Sequence, residues 1–278
     1  MRRFPHLVLN LLPLLAGPIF LRPPLEQERI VLEWLHHLAL LLLVFGAARL
    51  LAGLLIHFYG EETGTEGNLA PRVGRYRRRS FVQSWRDILQ VLVLILCALP
   101  LFAGLQLLHA RLPSSIFYLV LAGLALMGTT LRLSRTARVV PWTGARFLFN
   151  TLVAYLSLQL TTGAWLWQPA LVAVSFAAAL AAVDIAVLLK SSRGDKRLLS
   201  RLYGLALLGA PLALGLLVSL GQLSPAYLAT LALPAGAYRF TAALQRAEQS
   251  PEVPARLVPG TVLLGWLFVV IVFLVGVI

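Results

Sequence analysis

Charged residues, acidic residues above all, and cysteine are scarce in this sequence. Only 13% of the 278 residues are charged, whereas soluble domains carry roughly 25%. Three residues are aspartate: Asp87, Asp184 and Asp195. The low charge content excludes an ordinary soluble domain. The single cysteine, Cys97, excludes a framework of internal disulfides, and its place in an apolar run is typical of packing.

Long apolar runs dominate the rest of the chain, which is 59% hydrophobic with a mean hydropathy of +0.83. Runs of about 20 apolar residues are the signature of membrane-spanning helices. The sequence therefore predicts an all-α, polytopic membrane protein with one integral membrane domain over 1–278. The basic, apolar N-terminal segment lacks a clear cleavage site, and we interpret it as a retained first helix. The nine predicted spans are Phe4–Leu21, Ile30–Tyr59, Trp85–Leu108, Ser114–Leu131, Arg146–Leu166, Pro169–Leu189, Leu198–Leu220, Pro225–Ala243 and Val258–Ile278.

Proline and small residues occur inside several spans. Pro100 and Pro211 are expected to kink their helices, because neighbouring helices can satisfy the freed backbone groups. The runs AAALAAVDIA and ALLGAPLALG permit close contact between helices.

Lysine and arginine are distributed unequally between alternate loops. With the N-terminus inside, twenty of them belong to inner segments, three to outer segments, and Arg49 lies inside a span. Cytoplasmic loops carry such an excess, so we expect an integral protein of the bacterial inner membrane with its N-terminus in the cytoplasm and its C-terminus outside. This bias explains the net charge of +13 without any binding of nucleic acid. The basic residues lie on one side of the membrane rather than in a motif that would fit a nucleic-acid groove.

Three ionisable residues fall within predicted spans: Arg49, His57 and Asp184. Charges there are costly and usually face a cavity or a partner. One hypothesis is that Arg49 and Asp184 pair across the bundle. The alternative is that Asp184 is solvated near the cytoplasmic end while Arg49 bonds to backbone carbonyls. His57 and Glu61 are four residues apart, which suits a metal site or an acid/base pair but also an ordinary hydrogen-bonded pair at a helix end.

The inner loops concentrate cations that suit an anion. One loop carries Arg72, Arg75 and Arg77–Arg79, and a second carries Arg193, Lys196 and Arg197. Together they could bind a diphosphate or a lipid headgroup. The alternative is the general positive-inside bias with contact to anionic lipids.

Four stretches have the motifs or the character of one family. They read HFYGEETGTEGNLAPRVGRYR, RTARVVPWTGARFLFNTLVAYLSLQLTTGAWLW, DIAVLLKSSRGDKRLLSRLYG and PARLVPGTVLLGWLFVVIVFLVGVI. In the first, GTE stands where the family has Gly-[Thr/Ser]-Asp, and RVGRYR matches its Arg-[Val/Ile]-Gly-x-x-Arg stretch. The chain resembles the UbiA-type intramembrane prenyltransferases, especially the menaquinone-branch members. The resemblance implies a nine-helix bundle with a lipid-accessible central cavity, and Mg²⁺-assisted transfer of a prenyl chain from a polyprenyl diphosphate to an aromatic acceptor.

The departures from the family pattern concern the metal ligands. His57 and Phe58 stand where the family has Asn-Asp, and Val187 and Ser191 stand where its second motif has aspartates. We therefore expect a non-catalytic relative that binds an isoprenoid, a quinone or another lipid, or a subunit of a membrane complex with a membrane-protein partner.

The alternative is an active, divergent prenyltransferase. The resemblance then implies Mg²⁺ held by Glu61, Glu66 and Asp184. It places the diphosphate, or the headgroup of a bound lipid, on Arg72, Arg75, Lys196 and Arg197. Arg49 and His57 would be the polar groups of the cavity.

The charge distribution generates a topology test with reporter fusions in a bacterial host. Alkaline phosphatase fused after Ile278 is expected to be active, and green fluorescent protein fused there is expected to be dark. The same reporters inserted after Arg193, in a predicted inner loop, should give the opposite result. A fluorescent fusion after Ile278 would contradict the predicted orientation.

Overall fold

The computed structural model describes seven stretches of the chain: 12–21, 28–59, 81–133, 139–162, 167–190, 196–233 and 257–275. They form eight α-helices and one short 3-10 helix, with no strand in any of these seven stretches, so the predicted all-helical class is confirmed there. The α-helices are α1 Leu12–Leu21, α2 Glu28–Tyr59, α3 Phe81–Arg111, α4 Ser114–Leu133, α5 Val139–Thr162, α6 Trp167–Lys190, α7 Lys196–Ser219 and α8 Leu257–Val275.

Six segments of the described helices are long and apolar enough to cross a membrane. They are Leu32–Leu55, Ile88–Arg111, Ser114–Leu133, Trp167–Lys190, Lys196–Ser219 and Leu257–Val275. They indicate an integral membrane protein, and each overlaps a predicted span. The first, fifth, eighth and ninth predicted spans lie partly outside the described residues, and the fifth is represented by the more polar helix α5.

Helix α5 begins earlier than the sequence predicts. Its first residue is Val139 rather than Arg146. Pro141 lies in the first turn, where a missing amide hydrogen removes no helical hydrogen bond. The predicted boundary was wrong because it treated Arg146 as a residue at the membrane surface. Arg146 instead lies seven residues inside the helix.

The segment after α7 departs from the predicted pattern. Gly221 has φ +69°, and the amides of Gly221 and Gln222 bond to the carbonyls of Val218 and Leu217, which is a Schellman motif. The chain then enters a 3-10 helix, Pro225–Leu231, whose first turn is capped by the Ser224 hydroxyl. The predicted span Pro225–Ala243 therefore starts as a tight 3-10 turn, and its part beyond 233 lies outside the described residues.

Contacts between Cα atoms divide the chain into two compact units. The smaller unit is His37–Phe117, and the larger combines Met1–His36 with Tyr118–Ile278. In the smaller unit α3 approaches α2 at Gly104, where an added Cβ would lie 2.6 Å from a methyl of Val44. Only 6% of the apolar window of α3 is buried, so most of this helix presents apolar side chains to its surroundings.

Helix α6 is the centre of the larger unit. It packs against α1, α5, α7 and α8, and 67% of its apolar window is buried. Phe176 of α6 meets Phe268 of α8 edge to face, with ring centroids 5.5 Å apart. Burial of one helix by four others identifies the place where this unit's core, and any internal site, must lie.

Ser157 of α5 forms hydrogen bonds with the backbone of α1 where a proline leaves a carbonyl without its helical donor. Pro18 has no amide hydrogen, so the carbonyl of Leu14 loses its usual i+4 donor. The Ser157 hydroxyl donates to that carbonyl at 2.6 Å and accepts from the amide of Gly17 at 3.0 Å. A side chain of a neighbouring helix thus satisfies the backbone that the proline leaves unpaired.

This repair predicts that Ser157→Ala lowers the free energy of unfolding by about 1–2 kcal/mol, because a buried carbonyl loses its donor. Ser175→Ala is the matched control. Ser175 is equally buried, but its hydroxyl bonds only to Val172 of its own helix. Thermal unfolding in detergent should separate the two variants, and equal midpoints would contradict the role assigned to Ser157.

Candidate functional site

An apolar pocket lies between α6, α7 and α8 in the larger unit. Its empty space is about 360 Å³, including the part that is open at its mouth. The half-buried Ala179, Ala206 and Leu207 border it, so the pocket reaches the surface of the helix bundle. Around a membrane helix that surface is lipid. The lining residues are Ala179, Ala182, Ala206, Leu207, Ala210, Pro211, Leu233, Thr261, Leu264, Gly265 and Phe268.

Small residues and a proline create this space. Ala179 and Ala182 face it from α6, and Ala206 and Ala210 face it from α7. None of these side chains extends beyond Cβ, so two packed helices leave a gap between them. Pro211 lies in the interior of α7, where it has no amide hydrogen for a helical hydrogen bond.

The Tyr203–Thr261 pair provides the polar contact at one end of the pocket. Tyr203 of α7 is fully buried, and its hydroxyl lies 2.7 Å from Oγ1 of Thr261 on α8. Thr261 also donates to the carbonyl of Leu257 at 2.7 Å. Thr261 is the one lining residue with a polar side chain among those the structure describes, so the pocket suits a hydrocarbon chain.

A partly buried ion pair joins α5 to α6. Nε of Arg146 donates to Oδ2 of Asp184, and the side chains are 25% and 18% exposed respectively. Cζ of Arg146 also lies 5.4 Å from the ring centroid of Trp142, one turn earlier on α5. Asp184 precedes the end of α6 by six residues, so the pair lies about 9–10 Å from the helix ends.

Within the larger unit the cationic partner of Asp184 is Arg146. Arg49 lies on α2 in the smaller unit, so its hypothesised pairing with Asp184 stays a prediction. Arg146 was not among the predicted partners because the sequence pattern placed it in a surface segment. A proline two residues after Val139 was the available signal, since proline favours the first turn of a helix and so predicts an earlier start for α5.

Basic residues end α6 and begin α7. Between 190 and 201 the sequence holds five cations, Lys190, Arg193, Lys196, Arg197 and Arg201, against the single acid Asp195. Lys190 ends α6, and Lys196 and Arg197 begin α7, whose first turn contains no acidic residue. The five residues between these helices span at most about 20 Å, so the backbone of Lys196 lies within that distance of Lys190.

The other predicted site residues lie in less well described parts of the chain. Glu61, Glu66, Arg72 and Arg75 lie outside the described residues, and His57 lies in α2 without a described side chain. Within the described stretches no three His, Cys, Asp or Glu residues lie together as a metal site, and Asp184 faces a guanidinium. The described residues therefore do not fit a Mg²⁺ ion, and the metal site stays a prediction.

Gln159 of α5 is a buried amide whose hydrogen bonding is incomplete. The residue is 1% exposed, and its Nε2 has no hydrogen-bond partner among the described residues. An unpaired amide costs more in a membrane interior than at a surface. Gln159 does not line the α6–α7–α8 pocket, so this donor plays no part in the site described above.

Comparison of the chain with protein-family models, with curated proteins and with solved structures found no match. The resemblance to UbiA-type prenyltransferases and the bundle it implies therefore stay predictions. The pocket, the ion pair and the basic helix ends must be interpreted from their own chemistry.

The ion pair predicts a strongly non-additive double-mutant cycle. Arg146→Met or Asp184→Leu alone should lower the free energy of unfolding by about 1–3 kcal/mol, because each leaves a partly buried charge unpaired. The double variant should recover most of that loss, since it removes both charges together. Thermal unfolding in detergent measures the cycle.

Arg201→Met serves as the control, since Arg201 is exposed near the start of α7 and its loss should change the midpoint little. Additive effects of the two single substitutions would show that Arg146 and Asp184 do not act as a pair.

Proposed function

We propose that this protein binds an isoprenoid or a comparably apolar lipid within the membrane, in the pocket between α6, α7 and α8, without a catalytic metal. The observation that carries the proposal is the chemistry of the pocket wall, which is hydrocarbon except for Thr261.

The basic helix ends support a contact with phosphate. Lys196 and Arg197 lie in the first turn of α7, where the helix dipole disfavours cations. An anion bound there would interact favourably with both cations and with the positive end of the helix dipole. Phosphate groups supply that charge at a membrane surface. They belong either to the bound ligand or to neighbouring anionic lipids.

The ion pair supports a binding role rather than catalysis. Of the three residues predicted to hold Mg²⁺, Asp184 is the one that lies in the described part of the chain. Its carboxylate forms an ion pair with Arg146. A carboxylate in an ion pair is less available to Mg²⁺, which needs several oxygen ligands in near-octahedral geometry. Binding of an apolar chain needs no such ligands.

The proposal is tested by native mass spectrometry of the detergent-purified, delipidated protein with added farnesol. We expect farnesol to be retained without Mg²⁺. Ala206→Phe should reduce retention about tenfold or more, because the ring fills the pocket. Ala103→Phe is the control, since Ala103 is exposed on α3 and is not a lining residue of the pocket. Absence of retention, or equal retention by both variants, would overturn the proposal.

Farnesyl diphosphate in the same assay shows whether the phosphate at the basic helix ends belongs to the ligand or to neighbouring lipids. If the ligand carries the phosphate, farnesyl diphosphate should bind more tightly than farnesol. The double substitution Lys196→Gln/Arg197→Gln should then remove this difference in affinity. If neighbouring lipids supply it, the two compounds should bind equally, and the double substitution should lower retention of a bound anionic phospholipid instead.

A further inference from the structure

Arg49 of α2 is a cation inside a membrane-spanning segment. It lies within the apolar stretch Leu32–Leu55 and is exposed on the surface of the helix. Its side chain makes no hydrogen bond or ion pair with the residues that the structure describes. A charge in the hydrocarbon region is costly unless a partner or a cavity neutralises it. The cation therefore needs an anion from outside the described residues.

Two acidic residues, Glu33 and Asp184, have side chains in the described part of the chain, and neither is that anion. Glu33 lies on α2 itself, 16 residues before Arg49 and so about 24 Å away along the helix axis. Asp184 belongs to the larger unit, where Arg146 binds its carboxylate. Within the smaller unit, α3 approaches α2 at Val44, which is five residues before Arg49 and on the other side of the helix.

The position and direction of Arg49 favour an anion within the membrane over the phosphate of a lipid headgroup. Arg49 lies six residues, or about 9 Å, from Leu55 at the nearer end of the span. Helical side chains lean toward the N-terminus of their helix, which for Arg49 is the farther end. A contact with the nearer headgroups would reverse that direction. A carboxylate on a neighbouring helix instead meets the guanidinium within the span and can bond to it through both oxygens.

The surface of α2 beside Arg49 has room for such a helix. Gly46 and Gly53 lie three residues before and four residues after Arg49, on the same face. Both glycines are exposed, and a Cβ added to either would have nothing within 4 Å. Ala39 and Leu42 extend this exposed face toward the start of α2. Small residues let helix backbones approach closely in a membrane, so a partner helix can bring a carboxylate to Arg49.

We propose that the face of α2 around Arg49 binds a transmembrane helix of a second membrane protein, and that a carboxylate on that helix pairs with Arg49. A second copy of this chain does not fit the same face. Copies with one orientation in the membrane would bring two Arg49 side chains together about their symmetry axis, and like charges repel. The inference makes the protein a subunit of a membrane complex, and it does not depend on the pocket between α6, α7 and α8.

The test uses synthetic transmembrane peptides of about 20 apolar residues. One peptide carries a single glutamate at its centre, and two matched peptides carry glutamine or lysine there. Each is mixed with the purified protein in detergent, and the bound fraction is read by native mass spectrometry. The wild-type protein is expected to retain the glutamate peptide about three- to tenfold better than the glutamine peptide, and the lysine peptide least. Arg49→Leu should remove this order.

Matched variants separate this face of α2 from the rest of the protein surface. Arg132→Leu removes another exposed arginine, near the end of α4, and should leave the preference intact. Gly46→Leu should weaken retention of the glutamate peptide, because its side chain fills the surface that the peptide approaches. Gly128→Leu, at an equally open glycine of α4, should not weaken it.

Several results would overturn the inference. One is that the wild-type protein retains the glutamate and glutamine peptides equally, or retains neither. Another is that the preference for glutamate survives in Arg49→Leu. If Arg49→Leu lowers the thermal unfolding midpoint of the purified protein as far as Arg146→Met does, the partner of Arg49 lies within this chain. If Arg49→Leu instead loses a bound anionic phospholipid, the anion is a lipid phosphate. Farnesol retention is measured separately, so either proposal can fail without the other.

Discussion

Polar backbone and side-chain groups inside a membrane bundle have no water to bond with, and much of this structure follows from that constraint. Ser157 supplies the donor that Pro18 withholds from Leu14. Arg146 and Asp184 neutralise each other between two helices. The hydroxyls of Tyr203 and Thr261 form a hydrogen bond between α7 and α8, and the Thr261 hydroxyl donates to the carbonyl of Leu257. Each contact joins a different pair of helices, so together they define which helices are neighbours.

The pocket is the place in the larger unit where packed helices leave space between them. Alanines of α6 and α7 line it, and Pro211 lies in the interior of α7. Among the described lining residues Thr261 has the one polar side chain, and its hydroxyl already donates to the carbonyl of Leu257. Small side chains therefore both permit close contact between helices and leave the gap that these helices do not fill.

Charged and apolar residues occupy different positions along the length of α6 and α7. The cations that end α6 and begin α7 lie at one end of the larger unit, about 10 Å beyond the ion pair of Arg146 and Asp184. Apolar lining occupies the interior of the same helices. The helices thus present an apolar lining in their interior and basic residues at one end.

The sequence by itself determined the membrane class, the helical content and the approximate position of most spans. Those features depend on local composition, because about 20 apolar residues suffice to cross the hydrocarbon wherever they pack. It could also indicate that Pro211 lies within a span beside small residues.

Only the tertiary structure decided the partner of each polar group. The separation in sequence between Arg146 and Asp184 is 38 residues, and that between Ser157 and Leu14 is 143. A hydrogen bond over such distances depends on which helices pack and in what rotation. Composition and periodicity carry no information about that choice. For the same reason the pairing of Asp184 with Arg146 and the pocket lining from three helices were not foreseen.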